Sequence, residues 1–296
     1  MPDHRAFLAS LTPAAKSALT ERANVPGFAR LTTHLAAITT TGTLIVMQVP
    51  LWPLLLPVHG ILLTFLFALE HEATHKTPFA NERLNEWAGR AAGLVLVLPF
   101  TWFRYFHLAH HRHTNDPVCD PELLAGAKPH GWPAYLLHVS GLPYWAGTVR
   151  KTCGLALNQG GDDFVPAPAR ARAAAEARWM LVIYAALGAT LVVSPLLVWL
   201  WIVPMLLGQP FLRLFLLAEH GRCPYVADMF ENTRTTFTTR FVRWLSWNMS
   251  YHIEHHAFPS VPFHKLPDLH DLAAEHLRQT EHGYARFHRA YVGAFR

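Results

Sequence analysis

The sequence predicts an all-α integral membrane protein. Four transmembrane helices form two hairpins, and a cytoplasmic helical cap carries a metal site built from histidine. Three observations lead there. Charged residues make up 15% of the 296, against roughly 25% in an ordinary soluble domain. Their scarcity is concentrated in two long stretches. The chain also holds 20 histidines, as many as its Asp and Glu together.

The stretches come first. Leu31 to Leu69 carries no Asp, Glu, Lys or Arg over 39 residues, and Trp179 to Leu212 carries none over 34. Each is too long for one crossing of ~20 residues and suits two of ~17 with a tight turn between. Pro50, Pro53 and Pro57 interrupt the first and Ser194–Pro195 the second, where helix continuity should fail. The predicted hairpins are about 32–49 with 54–75 and about 178–194 with 196–219. Of the 25 Lys and Arg, 4 lie in residues 1–30, 11 in 70–178 and 10 in 213–296. Two-span hairpins put all three segments on one face, which the positive-inside rule makes cytoplasmic. Both termini and the histidine clusters fall there. No cationic n-region with a short apolar core opens the chain, so no cleaved signal peptide is expected. Residues 1–296 then form a single domain, its cap assembled from 76–177 and 220–296.

Two aromatic stretches, Ala91–Phe106 and Trp132–Thr148, read as helices lying in or dipping into the interface. Residues 157–175 read as a loop entering a helix. Three cysteines (Cys119, Cys153, Cys223) without CxxC spacing exclude a disulfide scaffold, a Cys-ligated zinc finger and an iron–sulfur protein. The net charge of +5 orients the chain and does not read as a nucleic-acid footprint.

Three histidine clusters hold the chemical signal: His71-Glu-Ala-Thr-His75, His107-Leu-Ala-His110-His111 and His252-Ile-Glu-His255-His256. Positions i, i+3 and i+4 share a helical face, so each cluster can aim its imidazoles at a common point. Imidazole suits zinc, copper, iron and nickel. The first cluster alone would fit a zincin protease, but one zinc takes three protein ligands. Eight clustered histidines, joined by His220 in a Glu-His that echoes Glu70-His71, fit two metals with open positions. His113 lies off the ligand face. His34 and His59, inside spans, read as buried neutral hydrogen-bonding groups. Ligating imidazoles usually give their other N–H to a carboxylate or carbonyl. Glu70, Glu72, Asp116, Asp120, Glu219 and Glu254 are the candidates, with Asp116 placed by its Asn-Asp-Pro turn to fold back on His110 or His111.

The three ordered boxes around two hairpins resemble the membrane fatty acid desaturase-like superfamily over roughly residues 30–270. The likeness extends to Asn115–Glu122 and to Pro259, Pro262 and Leu266-Pro267. It implies a non-haem di-iron centre, O2 as co-substrate and attack on an unactivated C–H bond. It also implies His71, His75, His107, His110, His111, His220, His252, His255 and His256 as iron ligands. Leu216 stands where some acyl-CoA members carry an Asn, which weakens transfer of that substrate. The expected reaction is insertion of a double bond into a fatty acyl chain of a membrane lipid or thioester. The alternative is a di-iron hydroxylase or ketolase of a lipid or carotenoid. A metal transporter would need ligands at mid-span, and an intramembrane protease would not need the third box. The chain has neither a dinucleotide fingerprint nor a ferredoxin cysteine set. An external electron donor is therefore expected, ferredoxin or a cytochrome b5-like protein with its reductase.

Overall fold

The computed structural model describes residues 3–159 and 161–295. Gly160, in the predicted linker, lies outside them. The chain is mostly helical. Two short N-terminal helices, α1 (His4–Ser10) and α2 (Pro13–Leu19), precede the long α3 (Asn24–Val46). A turn through the left-handed residues Gln48 and Leu51 leads to a short 3-10 turn and then α4 (Leu55–Thr64) and α5 (Leu66–Thr74). Next come α6 (Glu82–Leu96), α7 (Phe100–His113), α8 (Pro121–Ala125), α9 (Trp132–Val139) and α10 (Leu142–Ala156). Then follow α11 (Ala167–Ala189), a break at Ser194–Pro195, a π-helical turn over Val198–Ile202, and α12 (Val203–His220), with α11 packed on α10 and α7. The C-terminal part holds α13 (Met229–Asn232), β1 (Thr235–Phe237), α14 (Arg240–Leu245), α15 (His252–Ala257), α16 (Leu266–Ala273), β2 (Thr280–His282) and α17 (Tyr284–Val292). The two strands pair in parallel, Thr235 opposite Thr280.

Three stretches are long and apolar enough to cross a membrane: Trp52–Thr74, Ala167–Val192 and Val198–His220. The predicted breaks fall where proline and polar residues stop the helices. The first predicted span differs. It begins at Asn24, earlier than 32, and six threonines (Thr32, Thr33, Thr39, Thr40, Thr41, Thr43) with His34 and Gly42 dilute its apolarity. Likewise α11 starts 11 residues before the predicted 178, because alanines around Arg170 and Arg172 are strong helix formers.

The aromatic stretch Ala91–Phe106 is not one helix: α6 and α7 meet at 99°. Val97 takes the left-handed conformation (φ 59°) and Pro99 follows. A helix end leaves unpaired backbone groups that must find partners. Here the end of α6 finds them in neighbouring side chains. Tyr184 donates to Leu94 O (2.7 Å), Trp201 Nε1 to Val95 O (2.9 Å), Tyr144 to Leu96 O (2.8 Å) and Thr148 to Val97 O. At the start of α7, the two oxygens of Glu176 accept from Phe100 N and Thr101 N, each at 3.0 Å. Trp132–Thr148 also divides, into α9 and α10, at the left-handed Gly141.

The closest helix packing is between α4 and α12. A Cβ on Gly60 would sit 1.9 Å from Pro204 O, and one on Gly208 would sit 2.1 Å from Gly60 O, so only glycine permits this crossing. His34 and His59 hydrogen bond as their positions in the spans predict: His34 Nε2 to Leu62 O (2.8 Å), and His59 to Thr41 Oγ1 (2.7 Å) and Leu200 O (3.1 Å). This scaffold fixes the ends of α5, α7 and α12 against α15.

Candidate metal centre

The nine candidate histidines converge in two groups. His71, His75, His107, His111 and His255 bring ligand nitrogens within 4.8 Å of one another, as do His110, His220 and His256. His252 joins the second group, its Nε2 3.2 Å from that of His220. The rings of His111 and His256 stack at 4.0 Å and bridge the two. One expectation is corrected here: only the first cluster, His71 and His75, aims at a single group, and the other two divide. The second box sends His107 and His111 to one group and His110 to the other, and the third box divides the same way. Successive helix positions are ~100° apart, so neighbouring imidazoles face different centres.

Hydrogen bonds assign the tautomers of the second group. His110 donates Nδ1–H to Asp120 Oδ1 (2.9 Å) and His220 donates Nδ1–H to Asn232 O (3.3 Å). The Thr114 hydroxyl gives its proton to His110 O (2.9 Å), so it accepts from His256 Nδ1–H (3.0 Å). All three Nε2 atoms then carry bare lone pairs, and those of His110 and His220 lie 3.2 Å apart. In the first group His107 Nε2 is 2.9 Å from Nε2 of both His75 and His111. One ring nitrogen has a single in-plane donor or acceptor position and cannot satisfy both. Nε2 of His255 and of His256 are buried without any hydrogen bond. Lone pairs converging without protons are the donor set of a cation, and neutral imidazole is the form that binds one. Burial favours the neutral form: it pushes His75 down to about 3, with Arg104 adding to the effect, and of the nine only at His110 is it outweighed, by Glu122 and Asp120, which hold that imidazole above its ordinary value. It also holds His252, His255 and His256 well below the usual imidazole range.

The carboxylates sort unequally. Glu72, fully buried, accepts from Thr77 Oγ1 (2.8 Å) and Phe263 N (3.1 Å), with Oε1 3.6 Å from His255 Nδ1. Glu219 Oε1 lies 3.3 Å from His252 Nδ1. Three candidates do not face the histidines. Glu70 points to the opposite side of α5, where a Cβ on Gly93 would meet its Oε1 at 2.8 Å. Glu254 accepts from Thr235 and from His270 Nδ1. Asp116 accepts from Val118 N (2.8 Å) and Cys119 N (3.2 Å), closing its own turn. Asp120, four residues on, takes the role expected of Asp116. Burial works against its charge, but the hydrogen bond and charge of His110 outweigh it and hold the carboxyl below its ordinary value.

Thr114, Asn232 and Lys128 carried no sequence signal. Lys128 Nζ donates to Asn115 Oδ1 (2.5 Å) and to His220 O (2.7 Å), tying the loop after the second box to the end of α12. His113 is half-exposed and stands apart from the nine, beside Asp116 and Cys119.

A cavity of about 1670 Å³ reaches this site. Phe65, Ala68, Leu98, Phe103, Phe215 and Leu216 form apolar wall, and His71, His107, His110, His220 and His252 line it where the two groups meet.

The sequence matches the fatty acid desaturase family over residues 48–289. It is 27% identical over 214 residues to a sphingolipid delta(4)-desaturase/C4-monooxygenase of Mus musculus, covering 70% of this chain and 60% of that protein. It is 25% identical over 239 residues to the chloroplastic sn-2 acyl-lipid omega-3 desaturase (ferredoxin) of Helianthus annuus, covering 73% and 54%. An sn-1 oleoyl-lipid 12-desaturase of Arthrospira platensis is 24% identical over 228 residues, covering 70% and 64%. The chain thus spans less than two thirds of the length of these relatives. With apolar stretches long enough to cross a membrane, buried histidines and a family match over most of its length, the chain belongs to the fatty acid desaturase family.

Proposed function

We propose that this protein is an O2-dependent desaturase that introduces a double bond into a fatty acyl chain of a membrane lipid or thioester. The nine histidines named above would hold two non-haem irons, five imidazoles in one group and four in the other. The observation that carries this reading is an apolar-walled cavity that ends on both groups of converging imidazole nitrogens. When bound, the irons supply O2 activation and removal of hydrogen from an unactivated C–H bond. The chain's own residues do the rest. Asp120, Asn232 O and Thr114 keep the Nδ1 protons outward, while Glu72 and Glu219 stand behind the third box, beside Nδ1 of His255 and His252. Phe65, Phe103 and Phe215 exclude water and hold an extended chain against the imidazoles.

The topology goes with this reading. α3, apolar on its outward face at Val25, Phe28, Leu35 and Val46, serves as the first of four spans, and both termini and the histidines face the cytoplasm. An acyl chain then enters from the bilayer, while electrons arrive from a soluble or surface-bound ferredoxin or cytochrome b5-like protein. The basic cytoplasmic face favours an acidic donor.

The test compares acyl lipids of cells carrying the native protein with those carrying His255→Ala. Mass spectrometry should find new acyl chains short of two hydrogens only with the native protein. Unchanged acyl chains with altered pigments or sterols would overturn the reading, as would products that gain one oxygen.

A further inference from the structure

On α12, Gln209, Arg213, Leu216 and His220 follow one another at intervals of four, three and four, and so form a single stripe. Arg213, Leu216 and His220 all line the cavity. Arg213 is held on two sides. Its Nε donates to Gln209 Oε1 (3.2 Å), and its guanidinium lies 4.6 Å from the centre of the Tyr144 ring. Both supports are themselves fixed: the Gln209 side chain packs where a Cβ on Gly141 would come within 2.5 Å, and the Tyr144 hydroxyl is bound to Leu96 O. Among the described residues, Arg213 makes no direct ion pair, Glu122 and Glu219 acting on it only from a distance, and its two Nη groups make no hydrogen bond to protein. The neighbouring cavity cations are different. Lys151 is paired with Asp162 (2.9 Å), Lys128 is spent on Asn115 and His220 O, and Arg112 and Arg150 sit at the exposed rim. His138, lining the same cavity, has a buried Nε2 without a partner.

A charged group inside a membrane span marks a functional site by default, and a forked guanidinium matches an oxyanion. We propose that Arg213 binds the anionic head of the acyl substrate, a carboxylate or phosphate oxygen. This rests on the cavity being the acyl site. Arg213 precedes His220 by seven residues, ~10 Å along the helix. The head is thereby anchored about two turns from the nearest ligand histidine, and the oxidised carbon is counted from the head.

The experiment measures binding of cis-parinaric acid and of its methyl ester to the purified holoprotein in detergent, by fluorescence. The native protein should favour the acid by about tenfold to a hundredfold, as charge-assisted hydrogen bonds do. In Arg213→Met the preference should fall to near unity with ester binding unchanged, which also shows that the variant is folded. Arg213→Lys should keep part of it. Displacement by dioleoyl phosphatidic acid but not dioleoylglycerol would assign a phosphate head; displacement by oleate alone would assign a free carboxylate and overturn the lipid or thioester as the substrate, while leaving the role of Arg213 standing. Equal binding of acid and ester to the native protein, or an undiminished preference in Arg213→Met, overturns the role of Arg213. Binding of neither probe overturns the acyl-site reading with it.

Discussion

Asp120→Asn isolates the carboxylate that orients His110. Asp120 is 1% exposed and accepts three hydrogen bonds: Oδ1 from His110 Nδ1 (2.9 Å) and Glu122 N (2.9 Å), Oδ2 from Asn115 N (2.8 Å). Asparagine fills the same space and can keep its oxygen toward His110 and Glu122. Its amide then faces Asn115 N–H, donor against donor in a buried site, at ~1–3 kcal/mol. The bond from His110 loses its charge assistance, about another 1 kcal/mol. A fall in stability of roughly 2–4 kcal/mol should follow. Iron affinity should drop by about 10–100-fold, the usual effect of losing a partner behind a metal-bound imidazole. Thermal unfolding and competition with a chromogenic chelator measure the two. Asp116→Asn is the matched comparison. Its hydrogen bonds come from Val118 and Cys119 on a half-exposed turn, and an amide oxygen can still take them, so stability should move within about 0.5 kcal/mol. Native iron affinity in Asp120→Asn, or an equal loss in Asp116→Asn, would refute the assignment.

Other outcomes follow from the same geometry. Gly60→Ala should destabilise the hairpin packing by at least about 3 kcal/mol through overpacking, because its Cβ would overlap Pro204 O; an unchanged melting temperature in detergent would show that the helices separate without cost. Glu176→Gln leaves one of the two first N–H groups of α7 unpaired, and should lower stability by about 1–3 kcal/mol and weaken iron retention by the second box. Protein stripped of iron should lose stability steeply as pH falls below ~6.5. His75, His252, His255 and His256 are depressed by burial, so the unfolded chain binds more protons there, and each contributes up to ~1.4 kcal/mol per pH unit between its unfolded and folded values. Pulse proteolysis across pH 5–8 reads this, and a flat profile would mean that the imidazoles are not buried as neutral groups.

Patterns that act through chain periodicity were legible in the sequence. Charge gaps, proline breaks and histidine spacing depend on the residues themselves, and the helices broke around Pro50 and at Ser194–Pro195 accordingly, with Pro57 taken into the first turn of α4. Contacts across the fold were not. Glu70 and Glu72 both neighbour His71, yet two residues rotate a helix by ~200°: Glu72 faces the third box and Glu70 faces α6. The Asn-Asp-Pro turn made Asp116 the plausible partner of His110. Asn115 in the left-handed conformation (φ 60°) instead turns the chain so that Asp116 caps its own loop and Asp120 reaches back. Asn232 approaches from 117 residues away through its bond with Asn115, which no local pattern can announce.

The division of the boxes gives the H-x-x-H-H spacing its physical meaning. A box whose histidines all pointed one way would crowd a single centre and leave no reason for a third box. In the second box His107 and His111, four apart and ~40° from alignment, join one group while His110 turns to the other. In the third box the adjacent His255 and His256 divide at ~100°. The first box, two histidines four apart, serves one group alone. The second group is therefore short of a helix of its own, and His220 at the end of α12 fills that place. Because α12 also carries Arg213 two turns earlier, the same helix that would complete the metal site would set the distance at which a substrate head is held from it.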